Sequence, residues 1–586
     1  MELEIQQTPE AYLAAQQPPM PPKPEAETET VRQAAPLHFM DNVPTWLQNP
    51  PELTGQEESV ECQVLVVGAG QAGTIAALRL AETGADVLCI EAQSWERYDV
   101  YPTDMAVYNS KFFLDRGTPA YDPLDIFNEY MSKALGHAHP QLVRDYAFRS
   151  GEMFDWMLTH IPQELTEAYA HPVNYRGNPG FSGETCGQKS FIGMVQWRDQ
   201  ETNKNIWGYV MRHLIQEAHN LGARFRFHTK ALKILQAPDG TVTGCLVQDS
   251  QGKQLVVRCR AVLVCAGDYG GNREMLLDLS DHLRNLAWSF GRDRTDPHSV
   301  TGGGRDGSGI KMCLWAGGTM EAGPRAGQGG FVNRRPEFGF GGCWPCFGPD
   351  GKRFMNETVV RYGATGACDM LPVGGIMTLV TDANWDRYLD RQGYGHEMMD
   401  RSNDAWHEML REDMRHYKTG KDGFPVHCFG VTGIAYFTCW AAETLEELGE
   451  TLGYQGEALQ SFLREVERYN RFCAQGRDED WGCDPGYLFP ILEPPFFGVV
   501  NTVSAKKPNG GLCQHAGVCT DGHYNVVDAN KQPIPGLYAA GNCCGQRYAV
   551  QYHTPTAGNS CGSALTTGYV AAEHIAEFLK LGIHEK

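Results

Sequence analysis

An α/β fold built on a parallel sheet, interrupted by an inserted α+β domain, is what the sequence predicts, and three observations lead there. A β-branched run, Cys62–Val67, ends in glycines and leads through the helical pattern Thr74–Thr83 to a second such run, Ala85–Ile90. Residues 329–504 then change character, dense at first in Gly, aromatic residues and Cys and later helical. The last stretch returns to sheet and helix, and 586 residues are too many for one compact core.

Taken in order, residues 1–58 are rich in Pro, Gln, Glu and Ala without an apolar period, which predicts a flexible N-terminal arm or a strap lying on the body. Strand, helix and strand from Cys62 to Ile90 make a βαβ unit with a right-handed crossover, a Rossmann-like start. Residues 140–222 read as largely helical, broken by the loop RGNPGFSGETCG. Strands are expected at Phe225–His228, Thr241–Gln248 and Leu255–Cys265, helices at Glu443–Gly449 and Ala458–Phe472, and an apolar helix at Gly562–Leu581. The expected division is thus the arm 1–58, a binding domain of 59–328 plus 505–586, and a capping domain of 329–504. There is no internal repeat.

The balance of 50 basic and 71 acidic residues, −21 in all, argues against a surface that grips nucleic acid or an anionic membrane. No apolar run spans a bilayer, and the start MELEIQQTPE has neither a basic nor an apolar signal region. With 19 scattered cysteines, an odd number better suited to reduced thiols than to a disulfide framework, the expectation is a cytoplasmic protein.

Gly68-Ala69-Gly70-Gln71-Ala72-Gly73 lies between the first strand and its helix. Gly68 permits the tight turn, Gly70 lets a pyrophosphate approach the backbone, and Gly73 allows close helix–strand packing, with Ala72 beside it. Glu91 ends the second strand, where a carboxylate bonds ribose hydroxyls. The motif by itself does not separate FAD from NAD. Cys343-Trp344-Pro345-Cys346 has CxxC spacing but no second pair at matching spacing, and CxxCH is absent, so no metal or c-type haem is expected and the electron donor lies outside the chain.

Pro533–Asn542, PIPGLYAAGN, resembles the IPGLYAAGE signature of the fumarate reductase / succinate dehydrogenase flavoprotein family, to which 3-ketosteroid dehydrogenases and urocanate reductase are related. Ala557–Gly562 fits that family's second Gly-rich turn, Val262–Asp268 with Asn272 its VILATGGF pattern, and Gly304–Gly309 its TGDG turn. The resemblance implies FAD, with Gly541, Asn542, Gly558, Ser560, Cys561, Ala266, Gly267, Asp306, Asn109, Ser110 and Ala231 at the cofactor. The family's covalently attached members carry a His in the stretch corresponding to Thr103–Lys111, which has none here, so the FAD is expected to be non-covalent.

Gly351–Arg361, GKRFMNETVVR, resembles the family segment whose last Arg is the active-site proton donor. That role falls by position to Arg361, and a proton-delivery role to Glu337. Pro555 and Lys507, however, stand where fumarate reductases carry a substrate-binding Arg and His, and a third His near Pro324–Gln328 is missing. Without a guanidinium fork the site loses its best carboxylate grip, so fumarate is not expected as substrate. Lys507, Tyr548, Tyr552 and His553 are candidates for contact with a larger small-molecule substrate, while Arg547, Tyr548, Tyr552 and His553 are equally open to a structural role; the Tyr that 3-ketosteroid dehydrogenases place before the Pro is Thr554 here. The reading is an FAD-dependent reductase of an activated C=C bond. Its alternatives are dehydrogenation beside a ketone and a flavin electron carrier.

Overall fold

A computed structural model describes residues 43–582 except 101–103, 174–190, 202–203, 326, 329–335, 359–364, 392–403, 431–432, 505–509, 511–512, 549–551, 553 and 557. The loop RGNPGFSGETCG lies outside the described residues.

Six strands form the central sheet, in the order Asn525–Val527, Pro533–Ala539, Ala261–Val264, Val64–Val67, Val87–Ile90 and Arg224–Arg226. All neighbours run parallel except the first pair. Three of these strands, VLVV, VLCI and AVLV, are buried along their whole length, which is why they read as unbroken apolar runs. The helix Gln71–Glu82 joins the first two, beginning three residues before the periodicity suggests because Gln71-Ala72-Gly73 carry no periodic signal. Across it lies the helix Asn559–Phe578, and at the crossing a Cβ on Gly568 would stand 2.2 Å from the Ala72 carbonyl. Only glycine lets the two backbones come that close.

A second sheet, Glu58–Glu61, Gln254–Arg258, Val242–Asp249 and Thr229–Gln236, flanks the first and corrects two expectations. The single strand expected at Leu255–Cys265 is two strands in different sheets. Cys259 N donates to Thr243 O in one, while Arg260 N donates to Gln63 O beside the other. Both halves are buried, so hydrophobicity shows no break where the pairing changes. Thr229–Gln236, TKALKILQ, is an unforeseen edge strand whose lysines obscure its alternation.

Of the N-terminal stretch expected to be a flexible arm or a strap, residues 43–58 are described and lie as a strap on the body. Trp46 Nε1 donates to Asp278 at 2.8 Å, and Trp315 Nε1 donates to the Leu47 carbonyl at 2.8 Å. Two anchoring residues are too few to leave a periodic signal.

Between 338 and 503 an antiparallel sheet runs in the order Cys346–Phe347, Ile376–Thr381, Phe496–Thr502, Gly433–Ala442, Phe424–Gly430. Its buried side chains form two clusters of their own, apart from the large cluster around the parallel sheet. The helices Leu445–Leu452 and Gly456–Gln475 cover one face; Thr444 caps the first, its side chain accepting from Glu447 N. Among the described residues no helix is long and apolar enough to cross a membrane.

Candidate functional site

The Gly-rich turn is shaped by contacts on one side and open on the other. Gly68 has φ +98°, and a Cβ there would stand 2.6 Å from the Cys265 carbonyl; at Gly73 it would stand 1.8 Å from the Gly68 carbonyl. At Gly70, the uncapped N-terminus of the helix Gln71–Glu82, a Cβ would meet nothing within 4 Å. The helix therefore offers free amides and positive dipole toward an open face, which fits a dinucleotide pyrophosphate. Glu91 is buried at the edge of that face. Its Oε2 accepts from Ala69 N at 2.9 Å and its Oε1 from Gln93 N at 2.8 Å, leaving one lone pair on each oxygen for ribose hydroxyls. Tyr98 OH and Thr74 Oγ1 both donate to the Ala69 carbonyl and hold the turn from behind.

Neighbouring turns close round the same face. Ala266 and Gly267 leave the Ala261–Val264 strand, with Gly267 at φ +82°. Asp268, which the sequence reading passed over, ties three segments together by accepting from Gly270 N, Arg305 N and Gln514 N at 2.8, 3.0 and 3.3 Å. Asp306 is half-exposed and paired with Lys230 at 2.7 Å, next to the buried Ala231. Burial opposes its charge, but Lys230 and Ser308 outweigh this and bring its carboxyl down to about 2. Asn109 holds both amide ends against the Tyr121 backbone, and Ser110 donates to Asp155 while capping Phe112 N. Both side chains are thus engaged within the protein, leaving their backbone for a cofactor.

The C-terminal part packs directly onto the Gly-rich turn, where a Cβ on Gly541 would stand 3.1 Å from Ala72 Cβ. Gly558, in the left-handed region at φ +82°, starts the helix Asn559–Phe578 without a side-chain cap. Around that start Tyr548 OH donates to Asn559 O, Ser560 N donates to Tyr552 OH, and Tyr130 OH donates to Asn559 Oδ1. Both Tyr548 and Tyr552 are buried and pack on His515, with ring centroids 4.9 and 4.3 Å away. Burial, and then the Arg547 charge, hold His515 neutral well below its usual range. The two tyrosines proposed for substrate contact therefore support the helix terminus, and Cys561 beside them is buried with its thiol pushed up by desolvation.

The family described as "FAD binding domain" matches residues 63–562. The chain belongs to that family. It is an FAD-dependent oxidoreductase acting on CH–CH or C=C bonds, in the flavoprotein group that includes the fumarate reductases. A vinyl phenol reductase of Lactiplantibacillus plantarum is 23% identical over 541 residues, 88% of this chain and 96% of that protein. A digoxin reductase of Eggerthella lenta is 24% identical over 555 residues, 87% of this chain and 85% of that protein. Among solved structures, a 3-ketosteroid-Δ4-(5α)-dehydrogenase of Rhodococcus jostii shares the fold with TM-score 0.58 and 20% identity, covering 89% of this chain and all of that one.

In this FAD-binding oxidoreductase the segment Gly351–Thr358 is anchored by a buried ion cluster. Arg353 donates to Glu357 at 3.0 and 2.6 Å and to Asp478 at 3.0 Å, and its guanidinium lies 5.0 Å from the Tyr469 ring centroid. Burial disfavours its charge, but the two carboxylates outweigh this and hold it above its usual range. Asn356 Nδ2 bonds the Trp481 and Gly482 carbonyls, and Asn356 Oδ1 accepts from Thr358 N. Arg361, Lys507 and His553 lie outside the described residues. Glu337 is exposed and near enough to Cys428 for its charge, after burial, to raise that thiol. Cys343 and Cys346 are buried, and among the described residues no cluster of three metal-ligating side chains occurs.

Proposed function

We propose that the protein reduces an activated C=C bond in a substrate other than fumarate, with Arg361 as proton donor and Glu337 in its proton supply. The observation that carries this reading is the anchored segment Gly351–Thr358, which ends three residues before Arg361 and is held by Arg353, Glu357, Asp478 and Asn356. A proton donor must be held to within fractions of an ångström, and the buried ion cluster anchors the segment that leads to it in the sequence. FAD, when bound and reduced by an external donor, would supply the hydride for the β-carbon. Arg361 delivers the proton to the α-carbon. An arginine is a poor acid in water, so the step requires a strongly basic carbanion-like centre and rapid reprotonation from a carboxylate.

Pro555 and Lys507 in place of the family's Arg and His disfavour fumarate. The relatives named for vinyl phenol and digoxin favour a bulkier, partly apolar substrate. The reverse reaction, introduction of C=C beside a ketone, is the second reading, favoured by the 3-oxosteroid 1-dehydrogenase of Mycolicibacterium smegmatis, 24% identical over 608 residues, 89% of this chain and 98% of that protein.

Anaerobic mixing of the reduced holoenzyme with enones, enoates, aryl acrylates, vinyl phenols and fumarate tests both. Reoxidation of the flavin by one of the first four, but not by fumarate, is the expected result. Reoxidation by none, with bleaching of the oxidised enzyme by a saturated ketone, would favour the reverse reaction. Fumarate turnover on the order of 10 per second would overturn the exclusion of that substrate. Acid precipitation should release the colour as FAD; retention in the pellet would contradict non-covalent binding.

A further inference from the structure

Arg547 is 4% exposed, yet among the described residues its hydrogen bonds go to neutral acceptors. Its Nε donates to Cys544 O at 3.0 Å, Nη1 to Ser563 Oγ at 3.1 Å and Nη2 to Asn542 Oδ1 at 2.6 Å. Among the described residues it makes no ion pair. Glu321, the buried carboxylate nearby, accepts instead from Gln546 N on the other side of the same turn. Glu321 is close enough to feel the Arg547 charge but does not pair with it, and a guanidinium kept in the interior without an ion-pair partner is expensive, an arrangement that persists where the charge has a use.

Its three partners show where that use lies. Asn542 is half-buried and follows Gly541, which packs on Ala72 of the Gly-rich turn. Ser563 lies in the second turn of the helix Asn559–Phe578, whose axis runs from its uncapped start at Gly558 to the crossing with Ala72 at Gly568. From residue 559 to that crossing is nine residues, about 13 Å of helix, so the positive terminus lies about that far from the crossing with the pyrophosphate turn. Arg547 therefore sits behind two cofactor-facing segments and joins them. Because a guanidinium only donates, it fixes the Asn542 carbonyl inward, where the same side chain also reaches the buried His515, and turns the amide Nδ2 away from the guanidinium.

We infer that Arg547 is a positioning residue of the FAD site, which orients Asn542 as a hydrogen-bond donor toward the cofactor and places a positive charge with no ion-pair partner behind it, so that the site binds the reduced form in preference to the oxidised form. The inference does not depend on Arg361 or on the substrate, since it concerns the cofactor alone.

The test is the midpoint potential of FAD in the intact holoenzyme, measured by dye-coupled reductive titration without substrate. Arg547→Gln removes the charge. Asn542→Asp leaves Arg547 in place but supplies it with a counter-charge. Each should weaken the preference for reduced over oxidised FAD at least tenfold, a fall of about 30 mV for a two-electron couple. Arg547→Lys, which keeps the charge and loses the fork, should retain most of the preference. Unchanged potential in Arg547→Gln or in Asn542→Asp overturns the inference. Should Arg547→Gln fail to fold or to retain FAD, Asn542→Asp decides by itself.

Discussion

Arg353 and Arg547 are buried to nearly the same degree, 3% and 4% exposed, and meet the cost of burial in opposite ways. Arg353, in the 338–503 region, is surrounded by Glu357 and Asp478 and carries no net local charge to spare. Arg547, beside the Gly-rich turn, is bonded to a backbone carbonyl, a hydroxyl and an amide, and its charge remains. The first arrangement fixes a segment in place. The second leaves a field at the cofactor. A buried charge thus reports its purpose through its partners, and burial alone does not distinguish an anchor from a functional group.

The largest expected effect separates holding from chemistry on the Arg353 side. Arg361→Gln should lower kcat by about 10²- to 10⁴-fold, the usual cost of losing a positioned general acid, with stability and FAD content unchanged. Near-normal kcat on a substrate that the wild type reduces would remove Arg361 from the mechanism. Arg353→Met, by contrast, strands two buried carboxylates and should destabilise by about 3–5 kcal/mol in urea or thermal unfolding. If it does not, the cluster is no anchor and the contrast with Arg547 collapses.

Two carboxylates sharpen the comparison through pH. Glu82, the last residue of the helix Gln71–Glu82, bridges Arg79 and His160; burial opposes its charge, but these partners bring it down to about 2 from 4.5. Its folded pKa is depressed, so its contribution, of order 3 kcal/mol, is present above pH 4.5 and lost as pH falls toward about 2. Glu82→Gln should therefore flatten stability in that acid window, and an unaltered acid limb would count against it. Glu321 behaves oppositely: burial pushes it up to about 7, only partly offset by the Gln546 amide and by Arg325 and Arg547. Its raised pKa means that the folded state loses stability as pH climbs from 4.5 to about 7. Glu321→Gln should leave stability at pH 4 unchanged and raise it at pH 8 by roughly 1–3 kcal/mol. A loss at pH 8 would show that the carboxylate is a needed counter-charge for Arg547 after all.

The sequence by itself determined the βαβ start, the Gly-rich turn with Glu91, the C-terminal signature and hence the FAD family, because each is a local pattern whose chemistry is written in consecutive residues. The buried strands VLVV and VLCI and the helices following Thr444 and Gln455 were legible for the same reason. What only the tertiary structure decided is long-range pairing. Leu255–Cys265 divides between two sheets at Cys259–Arg260 because Thr243 and Gln63, far apart in the chain, compete for its amides. Asp268 reaches Arg305 and Gln514, Arg353 reaches Asp478, and Tyr548 and Tyr552 turn inward to His515 and the helix terminus. No pattern in a single stretch encodes which distant acceptor a buried donor finds. That choice is made only when packing has removed water and each buried polar group must be satisfied from whatever the fold has brought beside it.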